Sequence, residues 1–261
     1  MKLYDIHNHL IFGVDDGSRS IEETITMIKQ YISSGFSGAI VSSHYDKGRY
    51  LVSADQVKCG LEFIKTELQN QGIDFELYPG NEIQIDLNSI RDISEGKVLR
   101  MNNSKYVLCE LPMMTKPNYA ANVFYEMQLN GWIPIIAHPE RYSYVQEDPD
   151  WLLQFIKTGC LIQMNLSSLN KPDSEKTARE LLERNMVHII ATDSHQSEWR
   201  CPDVKNDLSM LEELIGQEKF ELFLSINPKN VIEDKLIPAN YGKIETKDKN
   251  KPKKKWYKFW E

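Results

Sequence analysis

Two histidines near the start of the chain, in the run Tyr4-Asp5-Ile6-His7-Asn8-His9-Leu10, are the first residues whose types and spacing suggest chemistry. Alternate residues of an extended strand point the same way, so a strand here would offer both imidazoles to one centre. Within one turn follow Val14-Asp15-Asp16-Gly17. An isolated His-x-His is more often a pair of solvated polar residues than a ligand pair. Here, however, further nitrogen and oxygen donors recur along the chain at equivalent places.

Those places are the ends of short β-branched or apolar runs. Ala39 to Ser43 ends in His44, Phe75 to Tyr78 runs through Pro79-Gly80-Asn81 to Glu82, and Tyr106 to Cys109 ends at Glu110. Trp132 to Ala137 ends at His138, Cys160 to Met164 at Asn165, and Val187 to Thr192 at Asp193-Ser194-His195. Helical patterns separate the runs. Ser20-Ile21-Glu22-Glu23 reads as a capping box before Ile21, Ile25, Ile28 and Ile32 on one face. Val57, Leu61, Ile64 and Leu68 mark a second helix, and Tyr119–Asn130, Trp151–Lys157 and Ser174–Arg184 mark three more. The segment 88–103 reads as irregular. His188 falls inside the last run and is expected to be a core or packing residue.

Seven strand-then-helix units predict an α/β fold with a parallel sheet closed or nearly closed on itself. In such barrels the reacting groups stand at the C-terminal ends of the strands. A ligand set of imidazoles and carboxylates without thiolate suits Mn, Zn, Fe or Co. His7, His9, Asp16, His44, Glu82, Glu110, His138, Asp193 and His195 are too many for one ion and would fill two or three sites sharing a bridging carboxylate. Such a cluster suits hydrolysis of a phosphate ester, in which cations activate water and neutralise the phosphoryl oxygens. Arg141 and Arg200, close behind His138 and His195, could supply the cationic forks for phosphate, or could be ordinary surface arginines.

Composition sets the bounds. The 261 residues, 41% hydrophobic, can bury a large core as a single domain. A net charge of -7 argues against a general nucleic-acid surface. Cys59, Cys109, Cys160 and Cys201 are scattered, as expected of thiols in a reducing cytosol. None has an arginine six residues later: Lys65, Thr115, Leu166 and Asp207 occupy those positions, so the thiolate-and-loop route to phosphate chemistry is not available. No apolar run is long enough for a leader or a membrane span, and the expected location is cytoplasmic.

In combination, Asp5-Ile6-His7-Asn8-His9, Val14-Asp15-Asp16-Gly17-Ser18, Ser43-His44, Gly80-Asn81-Glu82, Glu110-Leu111-Pro112, Ala137-His138-Pro139-Glu140-Arg141-Tyr142 and Thr192-Asp193-Ser194-His195 resemble the polymerase and histidinol phosphatase (PHP) superfamily. Within it the likeness is to the CpsB/YwqE-type bacterial metal-dependent protein-tyrosine phosphatases, over roughly the first 235 residues. The resemblance implies a distorted seven-stranded (β/α)7 TIM-like barrel with three metals at its mouth. By motif the first would be held by His7, His9, Glu82 and Asp193. Glu82 would bridge to a second completed by Glu110 and His138, and Asp16, His44 and His195 would hold the third. It further implies manganese, with cobalt, iron or zinc as alternatives, a metal-bridging hydroxide as nucleophile, and Arg141 and Arg200 orienting phosphate. The implied substrate is the phosphotyrosine of an autophosphorylated tyrosine kinase governing capsule or exopolysaccharide synthesis. Asp16 and Glu110 stand where histidinol phosphatases tend to carry histidines, which favours the tyrosine-phosphatase branch over a small-molecule phosphatase. A binding module that only masks a phosphorylated segment is the non-catalytic alternative, and an oligomer is left open.

The barrel is expected to span 1–241 and a tail 242–261. Eight lysines against three acidic residues give that tail a charge of +5, leaving -12 on the body. Lys253, Lys254 and Lys255 with Trp256 and Trp260 could meet an anionic membrane surface and place the protein peripherally at the inner face. A solubilising tail, or an aromatic end folded onto the barrel, would use the same residues.

Overall fold

A computed structural model describes residues 1–239, so the tail, with Lys253, Lys254, Lys255, Trp256 and Trp260 and the expected boundary at 241, lies outside the described residues. In chain order the first half runs β1 (Leu3–Asp5), α1 (Ile21–Ser33), β2 (Phe36–Ile40), β3 (Ser43–Tyr45), α2 (Ala54–Asn70), β4 (Glu76–Tyr78), β5 (Asn81–Gln84) and α3 (Ser89–Ser94). The second half runs β6 (Tyr106–Glu110), α4 (Ala120–Leu129), β7 (Ile133–Ala137), α5 (Ser143–Glu147), α6 (Leu153–Lys157), β8 (Leu161–Asn165), α7 (Glu175–Glu183), β9 (Ile189–Ala191), α8 (Lys205–Ile215), α9 (Gln217–Glu221) and α10 (Asn227–Ile232).

All strand pairs are parallel, in two sheets ordered β1-β2-β4 and β3-β5-β6-β7-β8-β9. The expectation of seven strands therefore meets nine segments. The extra two arise because β2 gives way to β3 across Val41-Ser42, and β4 to β5 across Pro79-Gly80. Proline lacks the N–H a ladder needs, which accounts for the second break. The sheets are joined by backbone bonds: Ser42 N–H donates to the Asn8 carbonyl at 2.9 Å, and Glu82 N–H to that of Ser42 at 3.1 Å. Beyond the last strand, Asp193 N–H donates to the His7 carbonyl at 2.8 Å and His9 N–H to that of Ser194 at 2.9 Å. These two bonds tie the segment after β1 to the segment after β9.

Period-two alternation explains how the core feeds the site. Tyr106 and Leu108 on β6, Ile135 and Ala137 on β7, Leu161 on β8 and Ile189 and Ala191 on β9 join Ile6 and Ile40 in one buried cluster. Counting onward by two from these residues reaches Glu110, Gln163, Asn165 and Asp193. The larger cluster lies between sheets and helices. Val57, Leu61, Ile64 and Leu68 of α2 are buried in it as their spacing predicts. In α1, Ile25 and Ile28 are buried with Met27 and Tyr31, while Ile32 is exposed.

Ser20 caps α1 through the Glu23 N–H, but the Glu23 carboxylate turns to Arg19 at 2.7 and 2.8 Å, so the expected reciprocal box is not made. A charged fork outcompetes a backbone N–H for a carboxylate. The reciprocal box forms instead at α2, between Ser53 and Gln56. The stretch 88–103 contains α3 and a short turn at Met101–Asn103 rather than being wholly irregular. Helices α8 to α10 have no counterpart in the sequence reading. No helix among the described residues is long and apolar enough to cross a membrane.

His188 is buried as expected, although it precedes β9 rather than lying within a strand. Its Nδ1 accepts from the Ile162 N–H at 3.1 Å and its Nε2–H donates to the Ala239 carbonyl. Burial pushes its pKa down to about 4, below the ordinary 6.5. Because the unfolded chain binds this proton more tightly, stability is full above pH 6.5 and is lost as pH falls towards 4, by on the order of 3 kcal/mol for this ring. Urea unfolding at pH 7 and pH 5 should show a smaller loss in His188→Gln than in the parent chain. Equal losses would remove this ring from the pH dependence.

Candidate metal centre

The nine sequence-predicted donors converge. His44 and Glu82 are register partners on β3 and β5, so their side chains leave the sheet side by side, with His44 Nδ1 2.9 Å from Glu82 Oε2. Glu110 ends β6. His7 and His9 lie just past β1, on the bridge formed by Asn8 and Ser194, rather than inside a strand. His138 and Asp193 follow β7 and β9 with φ of +32° and +52°, left-handed conformations that re-aim a side chain at the end of a strand. Asp16 arrives from the loop before α1. That loop passes so close to His9 that a Cβ on Gly17 would sit 2.3 Å from the His9 carbonyl oxygen, so only glycine fits there.

Glu82 is the shared carboxylate. Its Oε1 lies 3.2 Å from His7 Nε2 and 3.0 Å from His138 Nε2, and its Oε2 lies 3.6 Å from His9 Nε2. Asp193 Oδ1 is 3.5 Å from His7 Nε2 and 3.6 Å from His9 Nε2. Glu110 Oε1 is 3.6 Å from His138 Nε2. Asp16 Oδ1 stands 3.4 Å from His44 Nε2 and 3.6 Å from His195 Nε2. Donor atoms of His9, Asp16, His44 and His195 lie within 4.8 Å of one another, as do those of His7, His9 and Glu82, of His7, His138 and Asp193, and of His44, Glu82 and Glu110.

Electrostatics fit a site for divalent cations. His7 Nε2, His9 Nε2, Asp16 Oδ1 and Glu82 Oε2 are buried without a hydrogen-bond partner, a costly condition that cation binding relieves. Burial and the neighbouring Glu82 push Glu110 up to about 8. Burial would lower His7 and His44, but the charge of Glu82 prevails, raising them to about 9 and about 11. Burial and His9 drive His195 down to about 2, and burial and Arg141 drive His138 down to about 4. The protons held on Glu110, His7 and His44 are ones that a bound cation would displace, since a metal ligand must be deprotonated.

The residues that aim the donors were not found from sequence. His7 Nδ1–H donates to Gln163 Oε1 at 2.8 Å, and His9 Nδ1–H to Asp15 Oδ2 at 2.9 Å, so each ring presents Nε2 to the centre. Asp15 Oδ2 also accepts the His44 N–H at 3.0 Å. Asn165 Nδ2 donates to Asp193 Oδ2 at 2.7 Å. Asp15 adjoins a predicted ligand, and Gln163 lies two residues before a strand end, so a search for polar residues at inward positions would have found both. In the run His138 to Tyr142, Glu140 accepts from the Asn165 N–H and Ser168 Oγ at 2.9 and 2.7 Å, and Tyr142 donates to the Ala137 carbonyl at 2.7 Å. These bonds fix the turn that carries His138 and Arg141.

Both arginines reach the same place. Arg141 Nη1 is 3.0 Å from Asp193 Oδ2, Arg200 Nη2 meets that same oxygen, and Arg200 Nη1 donates to His195 Nε2 at 3.0 Å. The loop bearing Arg200 is anchored on α1: Gln30 Nε2 donates to the Ser197 carbonyl at 2.9 Å and Ser34 Oγ to that of Pro202 at 3.0 Å. Seven of the donors and both arginines line a cavity of about 320 Å³, while His7 and His9 are fully buried and do not line it.

A family model described as capsular polysaccharide synthesis, CpsB/CapC, matches residues 3–233. Staphylococcus aureus CapC is 32% identical over 261 residues, covering 98% of this chain and 99% of that one. The Bacillus subtilis tyrosine-protein phosphatase YwqE is 30% identical over 219 residues, 83% of this chain and 86% of its own. Among solved structures, a chain from the crystal structures of B. subtilis YwqE and Streptococcus pneumoniae CpsB, described as metal-dependent tyrosine phosphatases, superposes with a TM-score of 0.85 at 29% identity, covering 90% of this chain and 96% of that one. A probable 2-pyrone-4,6-dicarboxylic acid hydrolase from Acinetobacter baumannii, at TM-score 0.53 and 14% identity over 89% of this chain and all of its own, shares the fold alone.

Removing a group that holds a ligand's tautomer typically costs 10- to 100-fold in metal affinity. Gln163→Ala should therefore weaken Mn²⁺ binding by about that factor in a calorimetric titration, with unchanged circular dichroism. Undiminished affinity would show that Gln163 does not set the His7 tautomer.

Proposed function

This chain belongs to the capsular polysaccharide synthesis family CpsB/CapC, and we propose that it is a metal-dependent protein-tyrosine phosphatase. The observation that carries the reading is the clustering of nine nitrogen and oxygen donors, seven of which line one cavity together with two arginines. His7, His9, Glu82 and Asp193 would hold one ion, Glu82, Glu110 and His138 a second, and Asp16, His44 and His195 a third. Manganese is the ion we assign because the family resemblance implies it; the imidazole and carboxylate donors suit zinc, iron and cobalt as well. Divalent cations bound there supply an activated water and neutralise charge on the phosphoryl group.

The chain's own residues do the rest. Arg141 and Arg200 present guanidinium groups to the phosphate oxygens, where planar forks match the anion's geometry and hold the ester in line. Asp193 Oδ2 already gathers both forks, so they are in position before substrate arrives. Gln163 and Asp15 keep the His7 and His9 rings aimed, and burial of the centre excludes bulk water.

The relatives' names support phosphotyrosine protein as substrate, and we assign an autophosphorylated tyrosine kinase of capsule or exopolysaccharide assembly as the protein that carries it. We also read the nine strand segments as seven interrupted strands, β2 continuing as β3 and β4 as β5. That reading makes the fold a distorted seven-stranded (β/α)7 barrel closed by the bridge at Asn8 and Ser194.

With added Mn²⁺ the purified protein should hydrolyse p-nitrophenyl phosphate and phosphotyrosine peptides, and chelation should stop it. His138→Ala should abolish turnover while the fold survives, and Arg141→Lys should cost roughly 100-fold in kcat/KM, the scale for loss of one preorganised donor. Turnover of histidinol phosphate exceeding that of the peptides would replace this substrate class with a small-molecule one. Phosphopeptide binding with no turnover would leave a masking module.

A further inference from the structure

The cavity over the metal centre is lined by fourteen residues, and twelve of them are charged or polar. The other two are Tyr50 and Met113. We propose that Tyr50 and Met113 together form the subsite for the organic group of the ester, and that they select aryl over alkyl phosphates. The inference rests on the phosphatase reading and adds to it the residues that discriminate between substrates.

An aryl ring begins one bond beyond the ester oxygen, so a phosphoryl group held by Arg141 and Arg200 leaves the ring still inside the cavity mouth. There it needs apolar surface, because a ring placed against carboxylates and guanidinium groups displaces their water with little return. Tyr50 and Met113 are what the lining offers. Both aromatic edges and thioethers pack favourably on a ring.

Each is also held in place. Tyr50 closes a tight loop after β3, its carbonyl accepting the Asp46 N–H at 2.6 Å and its neighbour Val52 N–H donating to the His44 carbonyl at 3.0 Å. Its ring lies nearly parallel to that of His44, with centroids 5.9 Å apart and planes 11° apart. The Arg49 guanidinium lies 4.9 Å from the Tyr50 centroid and bonds Asp16 Oδ2 at 3.1 Å, which ties the loop to the rim of the centre. Met113 is pinned where its carbonyl accepts the Ser143 N–H at 3.0 Å, two residues from Arg141. Both residues are half-buried and line the cavity, so each keeps surface available to a ligand. A preformed apolar face lowers the entropic cost of seating a ring.

Non-hydrolysable probes separate binding from turnover. Calorimetry on the Mn²⁺-loaded full chain should find phenylphosphonate bound on the order of tenfold more tightly than methylphosphonate, the scale of one ring contact. Tyr50→Ala combined with Met113→Ala should bring that ratio close to one, while Tyr50→Phe and Met113→Leu should retain it, since neither the hydroxyl nor the sulfur is required. If the double variant loses its fold, Tyr50→Ser alone should still lower the ratio. A ratio near one in the parent chain, or a full ratio in the alanine double variant, overturns the subsite and leaves the phosphatase reading intact. Failure of both phosphonates to bind the parent chain overturns both.

Discussion

The structure depends on the burial of one carboxylate among imidazoles. Glu82 is almost completely withdrawn from solvent and has His7, His44 and His138 nitrogens at 3.2, 2.9 and 3.0 Å. An isolated carboxylate in that position would take up a proton rather than stay charged. Instead its pKa is held well below the usual range: burial raises it, and the His7 and His44 charges more than offset that. A centre of this kind is stable only if every partner is delivered from a different element at a fixed distance. The parallel strands meet that demand, since β1, β3, β5, β6, β7 and β9 each bring one or two donors to the same end of the structure.

Joining the first strand segment to the last needs its own polar device. Asp5, fully buried at the end of β1, accepts from Tyr31 Oη at 2.6 Å, from Thr192 Oγ1 at 2.8 Å and from the Thr192 N–H at 3.0 Å. Tyr31 Oη also meets Ser194 Oγ at 2.5 Å. One buried carboxylate thus fastens α1 and the end of β9 to the end of β1, on either side of the segment that carries His7 and His9. Burial raises the Asp5 pKa, and the bonds from Tyr31 and Thr192 act against the rise. The motif residues next to the ligands are therefore chiefly structural: Asp5 fastens the seam, Gly17 permits the close approach over His9, and Glu140 and Tyr142 hold the turn that carries Arg141.

This division explains what could be read from the sequence. Donors at strand ends were legible because a change from an apolar run to a His, Glu or Asp is a local signal, and it was found at His44, Glu82, Glu110, His138 and Asp193. Arg200 was legible only by proximity to His195, since its placement depends on α1 holding a loop more than 160 residues away in sequence. Gln163 carried one signal, a polar residue at an inward position of an apolar strand, which did not by itself name a role. A glutamine inside an apolar strand becomes meaningful only when the register puts it beneath His7. Strand lengths were overread at the N-terminus, where Ile6 bends the chain out of the ladder and His7 and His9 gain their aim from the bridge to Ser194 instead. Helices α8 to α10 escaped notice because they follow the last donor and their shorter apolar patterns have no strand between them to mark their limits.

The placement of the thiols closes the remaining route to the same chemistry. A nucleophilic cysteine must be available as thiolate and must face the phosphate. Cys109 sits on β6 with its side chain in the outer core beside Met127, and burial raises its pKa well above the ordinary value. Cys160 is buried before β8, and burial pushes it up to about 12. Neither lines the cavity that Arg141 and Arg200 face, and neither do Cys59 or Cys201. The strand alternation that turns Leu108 and Glu110 toward the centre turns Cys109 away from it. The same register that turns Glu110 toward the centre therefore keeps the Cys109 sulfur off the cavity that Arg141 and Arg200 line.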